Sequence, residues 1–403
     1  MLNAYIYAGL RTPIGRHTGA LSSQRPDDLA AFVIQKLVEK TQIPAQDIDE
    51  VILGCTNQAG EDCRNIARNA ALLAGLPVTV AGQTINRLCA SGLAAIIDAA
   101  RAVSCNEGNI FISGGVESMS RAPFVMSKAE TAYSRDVKFF DTTIGSRFPN
   151  KTLTTMYGND SMPETADNVA KLYNISRADA DHFAANSQAK YERAKQAGFF
   201  DDEILAIEIP QDKKQPPKIF DKDEHPRPTS DFNTLQKLNP LFENGVVTAG
   251  NASGINDGAA ALIIGNENVA QKYGIKPLAK ILSSAVSGVE PRIMGVGPIE
   301  AIKTAIKRAN LTLEDMDIIE INEAFASQVL SCLKGLNIDF NDPRINPNGG
   351  AIAIGHPLGC SGARLTLTAA RELQRNNKRY AVVSLCIGVG QGLAMVLENS
   401  QWT

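Results

Sequence analysis

Four short segments gather residue types that nucleophilic and acid–base chemistry uses: NRLCASG (86–92), NEAF (322–325), GGAIAIGHPLGCSG (349–362) and CIGVGQG (386–392). Cys89 stands at the start of a predicted helix whose first turn is Ala90-Ser91-Gly92. Unpaired N–H groups and the positive helix end there favour a thiolate. His356 lies between Gly355 and Pro357, a stiff loop with no competing side chain. Asn322 follows a predicted strand, Ile318–Ile321, at the carboxyl end where α/β sheets place ligands. Cys386 ends another strand and enters a glycine run, Gly388, Gly390 and Gly392, whose backbone can approach a ligand closely. The GxGxG spacing and the short strand after it do not fit a dinucleotide fingerprint. Taken singly, Cys89 reads as a core thiol and His356 as a structural histidine. Their company is what points to nucleophilic chemistry.

The elements that must position these residues come in duplicate. QDIDEVILGC (46–55) matches EDMDIIEINE (314–323) at an offset of 268, and LCASGLAAIIDAARAV from Leu88 matches LGCSGARLTLTAAREL from Leu358 at 270. NIFISGG from Asn109 and YAVVSLC from Tyr380 repeat at 271. Each copy alternates strand and helix, which implies α/β units with buried, mostly parallel sheets. The first copy reads as a strand at 4–8, a helix capped by Asp28, a strand at 51–53, a helix at 64–74, a helix from Cys89 and a strand at 110–113 ending in Gly114-Gly115. In the second, strands are expected at 279–282, 318–321, 380–385 and 393–397. Helices are expected from Pro298, at 323–333 and at 361–373. The long polar stretch between the copies predicts an inserted small domain with helices at 163–173 and 177–197. The division is then 1–120 with 251–277, the insert 121–250, and 278–403.

Composition narrows the function classes. The chain has 403 residues, enough for two or three domains, and 40 Lys+Arg against 43 Asp+Glu argue against a nucleic-acid binder. No run approaches the ~18 apolar residues of a membrane span. The first residues do not resemble a secretory signal and the last carry no common sorting signal, so the cytoplasm is the expectation. Seven cysteines without a CxxC pair and only four histidines predict neither a metal site nor disulfides.

Together the four segments resemble the thiolases, and the resemblance covers essentially the whole chain, including MPETADNVA (162–170) and TAGNASGINDGAAA (248–261) in the insert region. It implies an α/β thiolase fold: two duplicated halves in layers, helices between the sheets, and an inserted loop domain that holds coenzyme A. It implies that Cys89 takes the acyl group as a thioester and that Cys386 is the acid/base for the acetyl-CoA enolate and the incoming thiol. By the same resemblance, His356 activates the nucleophile and helps bind an oxyanion, Asn322 holds a water in that hole, and the N–H groups of Cys89 and Gly388 form a second hole. Ser253, Arg227 and Met162 would line the coenzyme A and acyl sites. Coenzyme A is then a substrate, with no tightly bound cofactor, and the assembly a homotetramer built as a dimer of dimers.

For the acyl group, Ser161 precedes Met162 where many short-chain thiolases have histidine. NQAGEDCRNIARNAALLAGLP (57–77), GGVESMSRAPFVMSKAE (114–130) and DTTIGSRF (141–148) resemble the 3-oxoadipyl-CoA thiolases of aromatic-acid catabolism. Arg121, Arg135 and Arg147 are the candidates for pairing with the terminal carboxylate of such a substrate. Lys213, Lys214, Lys218, Lys222 and Arg227 are candidates for phosphates. The rivals are a broad 3-oxoacyl-CoA thiolase of fatty-acid oxidation, a Claisen-condensing ketosynthase, which lacks the second cysteine, and a non-catalytic thiolase-like lipid carrier.

Overall fold

Buried apolar runs form the strands, and stretches with one apolar face form the helices that cover them. The computed structural model describes residues 2–211 and 215–402. Lys213 and Lys214 fall outside the described residues. The first copy contributes β1 (Ala4–Arg11), α1 (Pro26–Thr41), β2 (Glu50–Gly54), α2 (Ile66–Leu73), β3 (Ala81–Ile85), α3 (Ser91–Ser104) and β4 (Ile110–Ser118). Within the insert the main helices are α4 (Met162–Tyr173) and α5 (Arg177–Gln196), and the chain then returns as β5 (Asn256–Gly265). The second copy contributes β6 (Ala279–Gly288), α6 (Gly297–Arg308), β7 (Ile318–Ile321), α7 (Ala326–Gly335), α8 (Leu358–Arg375), β8 (Tyr380–Ile387) and β9 (Gln391–Asn399).

These strands join in the order β7-β8-β9-β6-β1-β5-β4-β2-β3. The two copies meet where β1 pairs antiparallel with its own counterpart β6, at Ala4↔Ile281 and Ile6↔Ala279. Helices α3 and α8, also counterparts, fill the central layer, where Leu93, Ile96 and Ala100 pack with Leu365 and Ala369 between the inner faces of both half-sheets. Helices α1 and α2 cover the outer face of the first half-sheet, and α6 and α7 that of the second. The duplicated, layered architecture is as expected from the repeat. The parallel preference is not: among the ladders of the described residues, only β2–β3, β2–β4 and β7–β8 run parallel. Returns such as β8 to β9 are hairpins, which force antiparallel neighbours.

Several local expectations shift. Pro26 opens α1 and no side chain caps it; Asp27 and Asp28 are first-turn acids instead. Strand β4 runs straight through Gly114-Gly115, because backbone from other elements presses on both: a Cβ would strike Ala260 O and Gly359 O respectively. The helix expected from Glu323 begins at Ala326. The offset of 271 in the last repeat is also corrected. Phe111 and Val383 both face the central layer, as do Ala381 and Leu385, so the faces agree only at an even offset of 270. A one-residue slip would turn every side chain over.

Candidate active site

The central helices cross at their first turns, and the crossing depends on glycine. A Cβ on Gly362 would collide with Leu93 N, and one on Gly92 would lie 2.5 Å from Gly359 O. Close approach at Gly92 and Gly362 brings together the starts of the two helices, whose preceding turns carry Cys89 and His356. The turn before α3 is held locally. Ser91 Oγ accepts from Arg87 N–H at 2.8 Å and donates to Leu88 O at 2.7 Å, while Leu88 is held at φ 46°.

Cys89 is half-buried, and the backbone N–H of Gly388 faces its sulfur. Burial pushes its thiol up to about 11, against the pull of the Gly388 and Cys89 N–H groups, with Glu117 adding a further upward push. The helix start therefore does not yield a resting thiolate; desolvation outweighs it. Gly388 sits in the hairpin between β8 and β9, where Val389 and Gly390 take φ 63° and 84°. A Cβ there would lie 3.3 Å from Leu88 and 3.9 Å from Met162 Sδ, which places Met162, the first residue of α4, over the Cys89 turn.

Cys386 is buried among Ala166, Met294, Ala324 and Phe325, and its thiol is pushed well above the usual range by burial, then by Cys89 and Cys332. Asn322 follows β7, and its Nδ2 stands 3.3 Å from His356 Nε2. Its Oδ1 is buried with no partner among the described residues. His356 Nδ1 lies 2.6 Å from Ser361 Oγ, whose own proton goes to Pro357 O at 2.8 Å. Nδ1–H then donates to Ser361, and Nε2 keeps its lone pair on the Asn322 side. Burial, with Arg364 adding to it, pulls the imidazole down to about 3, so the resting ring is neutral. This arrangement, two neutral thiols beside a neutral base and aimed N–H groups, can form and break a thioester.

The remaining expected residues lie on the walls. Ser253 donates its N–H to Ala324 O at 2.9 Å, tying the 248–261 stretch to the NEAF loop. Arg227 is exposed, with its backbone N–H on Gln188 Oε1 at 2.9 Å and no side-chain partner among the described residues; it sits beside His225, which flanks Gly254. Lys218 and Lys222 are exposed. Of the three arginines, Arg121 is spent on Glu61, with Nη2–Oε1 at 2.6 Å, and Arg135 is exposed. Arg147 is half-buried and donates to Thr142 O at 3.2 Å, in the strip that Asn57 also binds.

Two groups that hold His356 are absent from the sequence-based list. Asn256 Oδ1 accepts the His356 backbone N–H at 2.9 Å, and Gly355, at φ 108°, leaves room for that amide. Ser361 had a signal: it is the repeat counterpart of Ser91, and both serines lock the turn before a central helix. A cluster of Cys55, Asp62 and Glu117 has ligand atoms within 4.8 Å of one another. All three are already bonded, Cys55 to Asn57 O, Asp62 to Gly60 N–H and Glu117 to three backbone N–H groups, so the group does not fit a metal.

Family comparison assigns the chain as a whole. Residues 4–268 match the thiolase N-terminal domain and 275–399 the thiolase C-terminal domain, so the chain belongs to the thiolase family. Among characterised relatives, the 3-oxoadipyl-CoA/3-oxo-5,6-dehydrosuberyl-CoA thiolase of Escherichia coli K12 is 55% identical over 99% of this chain and 100% of its own length. The beta-ketoadipyl-CoA thiolase of Pseudomonas putida is 52% identical over 99% and 100%. The crystal structure of the Bacillus anthracis acetyl-CoA acetyltransferase superposes with a TM-score of 0.92 at 39% identity, covering 99% of each chain. Among the described residues no helix is long and apolar enough to cross a membrane.

Proposed function

We propose that the protein cleaves 3-oxoadipyl-CoA with coenzyme A to give succinyl-CoA and acetyl-CoA. His356 Nε2 takes the Cys89 proton as the sulfur adds to the C3 ketone. The tetrahedral alkoxide collapses with cleavage of the C2–C3 bond, leaving a succinyl thioester on Cys89 and the acetyl-CoA enolate. The Cys386 thiol protonates that enolate, and the resulting thiolate then deprotonates the incoming coenzyme A, whose sulfur takes the succinyl group and expels the Cys89 thiolate, which recovers its proton from His356. Asn322, through a water, and His356 serve one oxyanion; the N–H groups of Cys89 and Gly388 serve the other. Each such donor is typically worth ~10²–10³ in rate. Ser253 and Arg227 meet coenzyme A, Met162 walls the acyl pocket, and residues 121–250 form the cover. Coenzyme A acts as a substrate, no cofactor stays bound, and the enzyme works as a dimer of dimers in the cytoplasm.

The observation that carries this reading is the Gly388 N–H aimed at Cys89 Sγ, together with a histidine whose Nδ1–H is given to Ser361 so that Nε2 carries the lone pair, on which only the long Asn322 Nδ2 contact falls. The dicarboxylate preference rests on the full-length likeness to 3-oxoadipyl-CoA thiolases. Arg147 is the candidate carboxylate partner, because Arg121 is already paired with Glu61 and Arg135 is exposed. Brief incubation with 3-oxoadipyl-CoA, without free coenzyme A, should put a succinyl group on the peptide containing Cys89. A label on Cys386 or Cys360 instead would overturn the roles; no succinyl label, with acetylation from acetoacetyl-CoA intact, would overturn the substrate.

A further inference from the structure

Behind His356 lies a pair of buried charges that the reaction above does not use. Strand β7 alternates its faces: Ile318 belongs to the central layer, whereas Ile319 and Ile321 belong to the outer one. Glu320 therefore points inward, on the same face as Asn322. Across from it, Arg364 lies one turn along α8 from Ser361, the residue that holds His356 Nδ1. Both side chains are fully buried, and neither carboxylate oxygen nor either Nη finds a partner among the described residues. Each is the foremost charge acting on the other. Arg364 is also the one charged group pressing on the His356 ring. An imidazole that must become imidazolium is poorly placed beside an uncompensated guanidinium.

We propose that Glu320 is the counter-charge that lets His356 hold the Cys89 proton beside Arg364. The inference rests on the proposed role of His356 as base. Glu320 and Arg364 touch no reacting atom; they are positioning residues that set the energy of the proton on Nε2. Apart from the Cys89 sulfur that gives up the proton, the other groups around the ring do not supply this compensation. Asn322 and Asn256 are neutral, Cys89 and Cys386 rest as thiols, and Glu117 is committed to the N–H groups of Thr56, Asn57 and Gly359. Beyond the pair, Glu320 faces Glu323, Glu372 and Lys190, and Arg364 faces Arg11 and Glu203. Burial holds the Glu320 carboxyl up to about 8, with Arg364 pulling it down. Compensation thus strengthens as the pH rises through that value.

The test is the pH dependence of Cys89 alkylation by iodoacetamide in the substrate-free, full-length enzyme, which reads the Cys89–His356 couple without any acyl-CoA. Glu320→Gln should alkylate like wild type near pH 6.5, where the wild-type carboxyl is protonated, and about tenfold more slowly near pH 9, where it is ionised. Glu320→Gln/Arg364→Gln should recover to within about threefold, because removing both charges removes the imbalance. Should the single glutamate variant not fold, Arg364→Gln carries the test: it should alkylate several-fold faster than wild type near pH 7, and Arg364→Lys should not. A pH-independent loss in Glu320→Gln, no recovery in the double variant, or an unchanged Arg364→Gln rate would overturn the proposal. His356→Ala alkylating like wild type would remove the base itself, a failure distinct from that of the pair.

Discussion

The two halves share a plan and divide the work. In the first, the turn before the central helix carries Cys89, the proposed nucleophile; its counterpart in the second is Gly359. In the second, the residue that follows β7 is Asn322; its counterpart is Gly54, where a Cβ would collide with the backbone of Ser91 and Gly92. Each helix start rests on the strand ends of the opposite half. Gly359 lies against Gly54 O and Val116 O, and Cys89 lies against Gly388. At the first of these spots the donors are already satisfied, since Glu117 accepts from Thr56 N–H and Asn57 N–H at 3.0 Å and from Gly359 N–H at 2.8 Å. At the second, the N–H faces the Cys89 sulfur. The Glu117 side chain closes one cluster of N–H groups, and under the proposed reaction a transient anion fills its twin. The connection after β4 versus β8 differs in the same sense. One carries the inserted cover, the other a hairpin of Gly388, Val389 and Gly390.

The comparison breaks most sharply at the helix starts. Cys89→Ala should lower turnover by on the order of 10⁴-fold or more while melting near wild type, because the site keeps its donors but loses its nucleophile. Gly359→Ala should do the reverse, failing to fold or melting well below wild type, because its Cβ would press on Val116 O. Wild-type stability in that variant would refute the close crossing. A second test asks which strand ends matter to chemistry. Asn322→Ala or His356→Ala should cost kcat about 10²-fold, the usual size of an oxyanion-donor loss. A loss below tenfold would place them outside the site. Cys386→Ala should still take an acyl group but fail to exchange the α-protons of acetyl-CoA with deuterium.

Substrate choice sharpens the role of the insert, which only the first half carries. Losing a buried charge partner typically costs ~2–5 kcal/mol. The kcat/KM for 3-oxoadipyl-CoA should then exceed that for 3-oxohexanoyl-CoA by at least about 30-fold, at ~1.4 kcal/mol per decade. Arg147→Met should shrink the gap, and Arg121→Met should not, because Arg121 is held by Glu61. Equal rates on both thioesters would leave a general 3-oxoacyl-CoA thiolase.

How far the sequence reaches differs between these features. The duplicated unit was legible because Ser91-Gly92 and Ser361-Gly362 serve one geometric need, a tight helix crossing, in both copies. The candidate site residues stood out because cysteine, histidine and asparagine lie beside glycine or at element ends. Register was less so: NIFISGG and YAVVSLC align better by letter at 271, but only the pleat, through Phe111 and Val383 facing inward, sets 270. Strand β3 was missed because AGQTI is a half-exposed edge with no apolar run. Its counterpart in the second half has shrunk to a single bridge, Ile345 on Ile319. Asn256 left no local signal, since its partner, His356 N–H, is exactly 100 residues further along the chain. The rise of the Cys89 thiol is likewise a property of burial, which no short segment records.

The smallest effect on turnover should come from Glu117, and it tests whether the closed hole is a true twin of the open one. Burial pushes this carboxyl from 4.5 to about 7, although the N–H groups of Asn57, Thr56 and Gly359 pull it down. An acid whose folded value is raised binds more protons folded than unfolded, so it subtracts stability as pH rises from 4.5 to about 7 and adds no further change above. At 1.36 kcal/mol per unit the whole interval amounts to about 3 kcal/mol. His356 has the opposite sign: its ring falls from 6.5 to about 3, so its contribution is lost as pH drops through that window. Glu117→Gln keeps the neutral shape but offers one oxygen to three donors, a cost that does not depend on pH. Its unfolding free energy relative to wild type should therefore improve steadily between about pH 4.5 and 7 and then level off, with kcat little changed. A difference that stays flat across that range would mean the three N–H groups outweigh burial and Glu117 is ionised throughout. In that case the first half holds a permanent anion where the second half admits one only during the reaction.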